Sequence, residues 1–253
     1  MNELLRQLLV MRRFKNLGDR RSFLHPHTVP VPSPYPKGMD RIDKVFYINL
    51  DMRTDRRIEV ENELNSNFKY TRAERMPGIP SEPGIFGCTM SHITLYRRMI
   101  REGWNTMMVI EDDAMLVTSR ETLDAYIDAF LDDEVPDIFC IANSCGENVV
   151  YNQSFRRCFN TQTTACYIVK RKFIETLIAC YFENPEDIMD MPADVPEIGK
   201  RIGYIDTSWF PLQKTHYFMM PNTEIHPGTY IGRLVVQRPS YSDILHKHTD
   251  YKL

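Results

Sequence analysis

The chain lacks any long hydrophobic run. Nowhere in its 253 residues is there a stretch close to the ~18–20 consecutive apolar residues that a transmembrane helix needs. The apolar segment Leu4–Met11 is too short and too interrupted to form the core of a signal peptide. We therefore expect a soluble, intracellular protein of the cytoplasm.

Paired cysteine motifs are also missing. The six cysteines include no C-x-x-C pair, and several of them lie inside apolar runs. This spacing argues against a zinc finger or a disulfide framework, and it favours the reduced, buried thiols that are usual inside cells.

Three familiar catalytic signatures are absent as well. The sequence contains no G-x-x-x-x-G-K-[ST], no G-x-G-x-x-G and no G-x-S-x-G. Their absence argues against a P-loop kinase, a nicotinamide dehydrogenase and a hydrolase with a serine nucleophile.

The chain as a whole has no excess of positive charge. Its formal net charge is −3, which argues against a nucleic-acid-binding protein. Met1–Met39, however, holds seven basic and two acidic residues and a stripe of leucines. We predict a basic helical arm that packs on the main domain, binds a partner or contacts an anionic membrane surface peripherally. Four prolines between residues 30 and 36 predict an extended linker, so we expect an arm and linker over residues 1–40 and the main domain over residues 41–253.

Strand and helix patterns alternate in that second domain. Short apolar runs predict strands at Lys44–Leu50, Met107–Ile110, Asp137–Ala142 and Thr164–Val169. Apolar positions with helical spacing predict helices at Thr54–Asn65, Thr89–Glu102, Glu121–Leu131 and Arg171–Phe182. This alternation predicts an α/β fold that is Rossmann-like, with a mostly parallel central sheet and helices on both faces. Thr71–Gly87 is predicted as a loop, and many prolines after Asn184 predict a loop-rich C-terminal part.

Three adjacent carboxylates, those of Glu111, Asp112 and Asp113, directly follow the predicted strand Met107–Ile110. Open α/β sheets bind their ligands at such strand ends. Oxygen ligands at close quarters suit a hard divalent cation, Mg²⁺ or Mn²⁺, that can hold a diphosphate. The alternative is a solvated turn, followed by a helix that Thr118 caps with Glu121 as its capping-box partner.

Two further segments offer groups that could hold a nucleotide. Asn49 near the end of the first strand and Arg53, Arg56 and Arg57 after it supply amide and guanidinium donors for a nucleobase edge or a phosphate. The alternative is a solvated helix start, above all for Arg56 and Arg57. Gly84–His92 is a glycine-punctuated loop that enters a helix, whose first N–H groups favour an anion such as pyrophosphate. Alternatively, Ser91 and His92 satisfy local backbone groups.

In this order the segments resemble glycosyltransferase family 25, which includes lipooligosaccharide galactosyltransferases and collagen hydroxylysine galactosyltransferases. The resemblance extends from about Arg41 to Ile244. It is carried by Val45–Asp51 with Arg53, Asp55, Arg56 and Arg57, by Gly87-Cys88 and Ser91-His92, by Val109–Ala114, by Thr164–Val169, by Pro192–Asp194, and by Gln237 with Ser240–Ile244.

The resemblance implies a GT-A-type fold that transfers a hexose, galactose or glucose, from a UDP-sugar. It also implies inversion at the anomeric carbon, a Mn²⁺ or Mg²⁺ ion, and an acceptor hydroxyl on a glycan, glycolipid or glycoprotein, as in lipopolysaccharide biosynthesis. Glu111 and Asp113 are the implied metal ligands. Asp194 is the candidate catalytic base, with Glu197 and Asp206 as alternatives. The implied nucleotide-binding residues are Asn49, Leu50, Arg53, Arg56, Ser91, His92 and Asp112.

Two other functions stay open at this point. The acidic cluster also suits a metal-dependent phosphohydrolase. A catalytically weak module that binds nucleotide sugars is a second alternative, because Ile85 stands where family members often carry an acidic residue.

Overall fold

The computed structural model describes residues 36–144, 146–181, 205–223, 232–242 and 247–249. A short 3₁₀ helix spans Gly38–Arg41. The α-helices are α1 (Thr54–Ser66), α2 (Gly84–Glu102), α3 (Arg120–Asp132), α4 (Arg171–Ala179), α5 (Ile205–Ser208) and α6 (Phe210–Thr215). The strands are β1 (Lys44–Asn49), β2 (Glu74–Pro77), β3 (Thr106–Glu111), β4 (Ala114–Leu116), β5 (Ile138–Cys140), β6 (Asn148–Val150), β7 (Phe155–Cys158), β8 (Cys166–Lys170), β9 (Phe218–Pro221), β10 (Val235–Gln237), β11 (Ser240–Ser242) and β12 (Lys247–Thr249).

Eight strands form the central sheet, in the order β2-β1-β3-β8-β5-β9-β7-β6. Strand β1 pairs in parallel with β2 and β3, and β5 pairs in parallel with β9. Strand β8 is antiparallel to β3 and β5, and β7 is antiparallel to β9 and β6. Six of the eight strands therefore point the same way, which confirms the predicted mostly parallel sheet.

Helices cover both faces of this sheet, as predicted. Strand β3 shows why, because Met108 and Ile110 belong to one hydrophobic core and Met107 and Val109 to the other. Helices α1 and α3 pack into the first core, and α2 and α4 pack into the second. A central strand that is buried on both faces leaves only its end available for polar residues, and Glu111 occupies that end.

Some predicted boundaries of helices and loops are wrong in the N-terminal half of the chain. The expected loop Thr71–Gly87 contains β2, and α2 begins at Gly84 instead of Thr89. Helix α3 is capped by Ser119 and not by Thr118, since the Ser119 hydroxyl accepts a hydrogen bond from the Thr122 N–H at 3.1 Å.

The C-terminal part contains more structure than its prolines suggested. Strand β9 lies inside the sheet between β5 and β7, and Phe218, Met219 and Met220 are fully buried. This strand was not predicted, because a four-residue apolar run shows no periodicity that separates a strand from other buried segments.

The described residues test some of the other predictions only in part. The segment predicted as a helical arm and most of the predicted linker, residues 1–35, lie outside the described residues. None of the five described cysteines forms a disulfide, but Cys180 is exposed, so the expectation of buried thiols is wrong there. Among the described helices, none combines the length and apolar character that a membrane crossing requires.

Candidate active site

A cavity of about 340 Å³ opens at the carboxyl ends of β1 and β3. These strands are parallel neighbours, with Ile48 opposite Glu111, so the residues that follow them meet at one sheet edge. The cavity brings together eight predicted site residues, namely Asn49, Leu50, Arg56, Ser91, His92, Glu111, Asp112 and Asp113.

Arg53 is not among the described residues that line the cavity. The Arg53 guanidinium pairs with Asp55 at 2.8 Å in the first turn of α1. Asp194 and the alternative base Glu197 lie outside the described residues, as does the side chain of Asp206. Their roles remain predictions.

The Asp112 carboxylate is held by the protein on both of its oxygens. Asn49 Nδ2 donates a hydrogen bond to Oδ2 at 2.8 Å, and Arg56 Nη1 donates one to Oδ1 at 2.8 Å. The Asn49 amide also donates to the Arg53 carbonyl oxygen at 3.0 Å, and its own oxygen accepts from Arg75 Nε at 3.2 Å. These contacts fix the end of β1 against the turn after β3, so Asp112 and Asn49 act here mainly as positioning groups.

Asp113 has a different environment. Its side chain is buried, Arg56 Nη1 lies 3.5 Å from its Oδ2, and its Oδ1 has no hydrogen-bond partner in the described part of the chain. Burial, together with the charges of Glu111 and Asp112, raises the pKa of this carboxyl to about 7 and outweighs Arg56 and Gln237, which lower it. A buried acid of this kind gains most from a nearby cation.

Glu111 connects the cavity to a buried chain of hydroxyl groups and a histidine. Its Oε1 accepts a hydrogen bond from Thr164 Oγ1 at 2.6 Å and lies 3.4 Å from His92 Nε2. His92 Nδ1 is hydrogen-bonded to the Tyr167 hydroxyl at 2.8 Å, which in turn contacts the Tyr96 hydroxyl at 2.8 Å. Burial alone would raise the pKa of Glu111, but the neighbouring His92 and Thr164 hold it below its usual value.

Ser91 links α2 to the loop that follows β2. Its hydroxyl donates to the Gly87 carbonyl oxygen at 2.7 Å and accepts from the Ile79 N–H at 2.9 Å. The serine thus satisfies local backbone groups, which was one of the two interpretations of its sequence. By this contact it positions the cavity-lining segment 78–82.

Several cavity residues had no assigned role in the sequence analysis. Gly78–Glu82 was predicted only as part of a loop, and Met52 carried no signal. Gln237 and Ser242, which also line the cavity, occur in the last block of the family resemblance. Strand β10 brings Gln237 to the site by pairing with β4, opposite Ala114.

Three described residues that could each offer a metal-ligand atom, a sulfur, a nitrogen or an oxygen, lie close together. Single ligand atoms of Cys88, His92 and Glu111 all lie within 4.8 Å of one another. This group shares Glu111 with the predicted metal pair but does not include Asp113.

The match to a protein family includes several residues of this site. Residues 81–195, a little under half of the chain, match glycosyltransferase family 25 (LPS biosynthesis protein). The matched stretch includes Ser91, His92 and the acidic cluster Glu111–Asp113. This family match confirms the resemblance predicted from the sequence. It also confirms the class of enzyme, a glycosyltransferase, which transfers a sugar. No curated protein sequence matches the chain.

Three solved structures are similar to the chain at low identity. A glycosyltransferase involved in the glycosylation of the major capsid of PBCV-1 is 10% identical, with 69% of this chain and 79% of that chain covered and a TM-score of 0.40. Mannose-1-phosphate geranyltransferase from Thermus thermophilus is 7% identical, with 70% and 72% covered and a TM-score of 0.41. A197 from STIV is 10% identical, with 77% and 93% covered and a TM-score of 0.37. Scores this low do not define a fold or an activity, so the assignment depends on the family match.

Proposed function

We propose that the protein transfers galactose or glucose from a UDP-sugar to a hydroxyl of a glycan, glycolipid or glycoprotein, with Mn²⁺ or Mg²⁺ bound at Glu111 and Asp113. The proposal depends on one observation above all. Asp113 lines the cavity, and its buried Oδ1 has no hydrogen-bond partner among the described residues. Such an atom needs a cation or a proton, because burying an unpaired carboxylate is costly.

The charges around the cavity support a divalent cation. Glu111, Asp112 and Asp113 line it, while Arg56 is the only lysine or arginine among its described lining residues. Arg56 donates to Asp112, whose two oxygens are already engaged. Oxygen atoms of Glu111 and Asp113 then fit the ligand preference of Mn²⁺ and Mg²⁺. When bound, such an ion would offset the negative charge that develops on the departing diphosphate.

The nucleotide contacts are proposed for the end of β1 and the first half of α2. Asn49 and Leu50 line the cavity, as do Ser91 and His92, and would border the uridine or its phosphates. The Arg53 guanidinium, which pairs with Asp55, would bind a phosphate of the nucleotide in place of that carboxylate. Both N–H groups of the Asn49 amide are already used, so we assign it the positioning of Asp112 and leave direct contact to the backbone around Leu50.

The proposed transfer is a direct displacement with inversion. The acceptor hydroxyl oxygen attacks the anomeric carbon while the bond from that carbon to the UDP oxygen breaks, and the hydroxyl proton passes to a base. We propose Asp194 as this base on the strength of the family resemblance, with Glu197 and Asp206 as alternatives.

A panel of nucleotide sugars, incubated with and without Mn²⁺, tests the proposal. We expect slow hydrolysis of one or a few UDP-hexoses that stops with EDTA, because hydrolysis needs the same metal and donor geometry as transfer. Glu175→Ala, which removes an exposed carboxylate on α4, should behave like the wild type. Release of inorganic phosphate from simple phosphoesters, without release of UDP from any sugar donor, would instead establish the phosphohydrolase. With an acceptor in hand, retention of configuration in the product would contradict direct displacement.

A further inference from the structure

One wall of the cavity carries a sulfur, a nitrogen and an oxygen ligand atom in a single group. Cys88 and His92 lie four residues apart on α2, so their side chains occupy the same face of the helix. Glu111 approaches them from the end of β3. One ligand atom of each residue lies within 4.8 Å of the other two, which is close enough for a common ion.

The buried ring of His92 gives independent support for a metal ligand at this position. Its side chain is fully buried, yet Nε2 has no hydrogen-bond partner in the described part of the chain. The nearest carboxylate oxygen, Glu111 Oε1, is 3.4 Å away, which is beyond a normal hydrogen bond. Because the other ring nitrogen contacts the Tyr167 hydroxyl at 2.8 Å, the tyrosine can accept the Nδ1 proton and leave the Nε2 lone pair facing the group. Metal-binding histidines are typically oriented in this way.

We propose that Cys88, His92 and Glu111 bind a thiophilic divalent cation of the zinc class. A thiolate, an imidazole and a carboxylate are the usual zinc ligands, and the cavity leaves room for water in a fourth position. Binding forms a bond from sulfur to the metal, and the thiol proton passes to solvent. The site differs from the proposed donor-metal pair because Mn²⁺ and Mg²⁺ prefer oxygen ligands alone.

The proposed zinc-class site does not rest on the proposed function, but it affects that function. Glu111 belongs to both ligand sets, so a zinc ion bound at this site would displace the ion at Glu111 and Asp113. Competition between the two metals is therefore a consequence that depends on the donor-metal proposal.

Cobalt provides the test, because a cobalt ion bound by a thiolate gives a near-ultraviolet charge-transfer band that an all-oxygen site does not give. Co²⁺ is titrated into the reduced full-length protein without nucleotide. We expect this band in the wild type, its removal on addition of Zn²⁺, and its loss in Cys88→Ser. The control Cys180→Ser changes an exposed cysteine outside the group and should keep the band.

Two more variants separate the site from simple misfolding and from the proposed function. Tyr167→Phe should keep the band but weaken cobalt binding by about tenfold, because Tyr167 only orients His92. Asp113→Ala should keep the band even where Mn²⁺-dependent UDP binding is lost. No band in the wild type, or an undiminished band in folded Cys88→Ser, would overturn the zinc-class site and leave the donor-metal proposal untouched.

Discussion

In metal-free buffer at pH 8, Asp113→Asn should raise the free energy of unfolding by on the order of a few kcal/mol, although it removes a predicted metal ligand. In the folded protein, burial together with Glu111 and Asp112 raises the pKa of Asp113 to about 7. In the unfolded chain the pKa returns to the ordinary value of about 4. The ionised side chain is therefore a cost to the folded state, and asparagine has nearly the same shape without the charge.

The direction of the pH dependence follows from this raised pKa. Between pH values of about 4 and about 7 the folded state binds more protons at Asp113 than the unfolded state does. The stabilisation from this group is fully present below the unfolded pKa and is lost as the pH rises through the folded one. The difference between Asp113→Asn and the wild type should thus be near zero at pH 4 and largest at pH 8.

Urea unfolding at pH 4, 6 and 8 in EDTA measures this difference. Glu175→Gln, which neutralises an exposed carboxylate, is the matched control and should show no such trend. Adding Mn²⁺ at pH 8 should stabilise the wild type more than Asp113→Asn. If Asp113→Asn is as stable as the wild type or less stable at pH 8, then the buried carboxylate does not destabilise the fold in the way described.

Gly87→Ala should lower the free energy of unfolding by roughly 1–3 kcal/mol. Helix propensity alone predicts the opposite, since alanine is favoured over glycine inside a helix by about 1 kcal/mol. Steric contact decides the sign of the change in stability, because a Cβ on Gly87 would overlap the Ile79 carbonyl oxygen. That oxygen belongs to the backbone and can move only if the segment 78–82 moves with it.

Thermal and urea unfolding test this prediction for Gly87→Ala. Arg101→Ala, at an exposed position of the same helix, is the control. The control should change stability by no more than about 0.5 kcal/mol. Because segment 78–82 lines the cavity, Gly87→Ala should also weaken UDP binding under the proposed function. A Gly87→Ala protein that is more stable than the wild type would mean that the loop does not approach α2 so closely.

The strands that carry the site could be predicted from the sequence because they are short apolar runs that end in polar residues. Met107–Ile110 and Lys44–Leu50 both have this form, and the parallel pairing of β1 with β3 brings Asn49 and Glu111 to one edge. Strand β9 could not be predicted in the same way. Its four residues are all buried, so nothing in their order distinguishes them from a short loop between prolines.

The division of work among the three adjacent acids of the site could not be predicted from the sequence. The acids at 111, 112 and 113 look equivalent in the sequence, yet Asp112 is held by Asn49 and Arg56 while Asp113 keeps a buried oxygen that has no hydrogen bond within the described ranges. Such roles depend on which groups the fold brings into contact over long sequence distances, and local pattern carries no information about that.

Calorimetric titration of UDP into the full-length protein tests the central claim, that Glu111 and Asp113 hold a divalent ion for the diphosphate. We predict that the wild type binds UDP with Mn²⁺ and loses roughly a hundredfold in affinity with EDTA, and that Asp113→Ala binds equally weakly under both conditions. Glu175→Ala should match the wild type. Metal-dependent UDP binding of wild-type strength in Asp113→Ala would contradict the account.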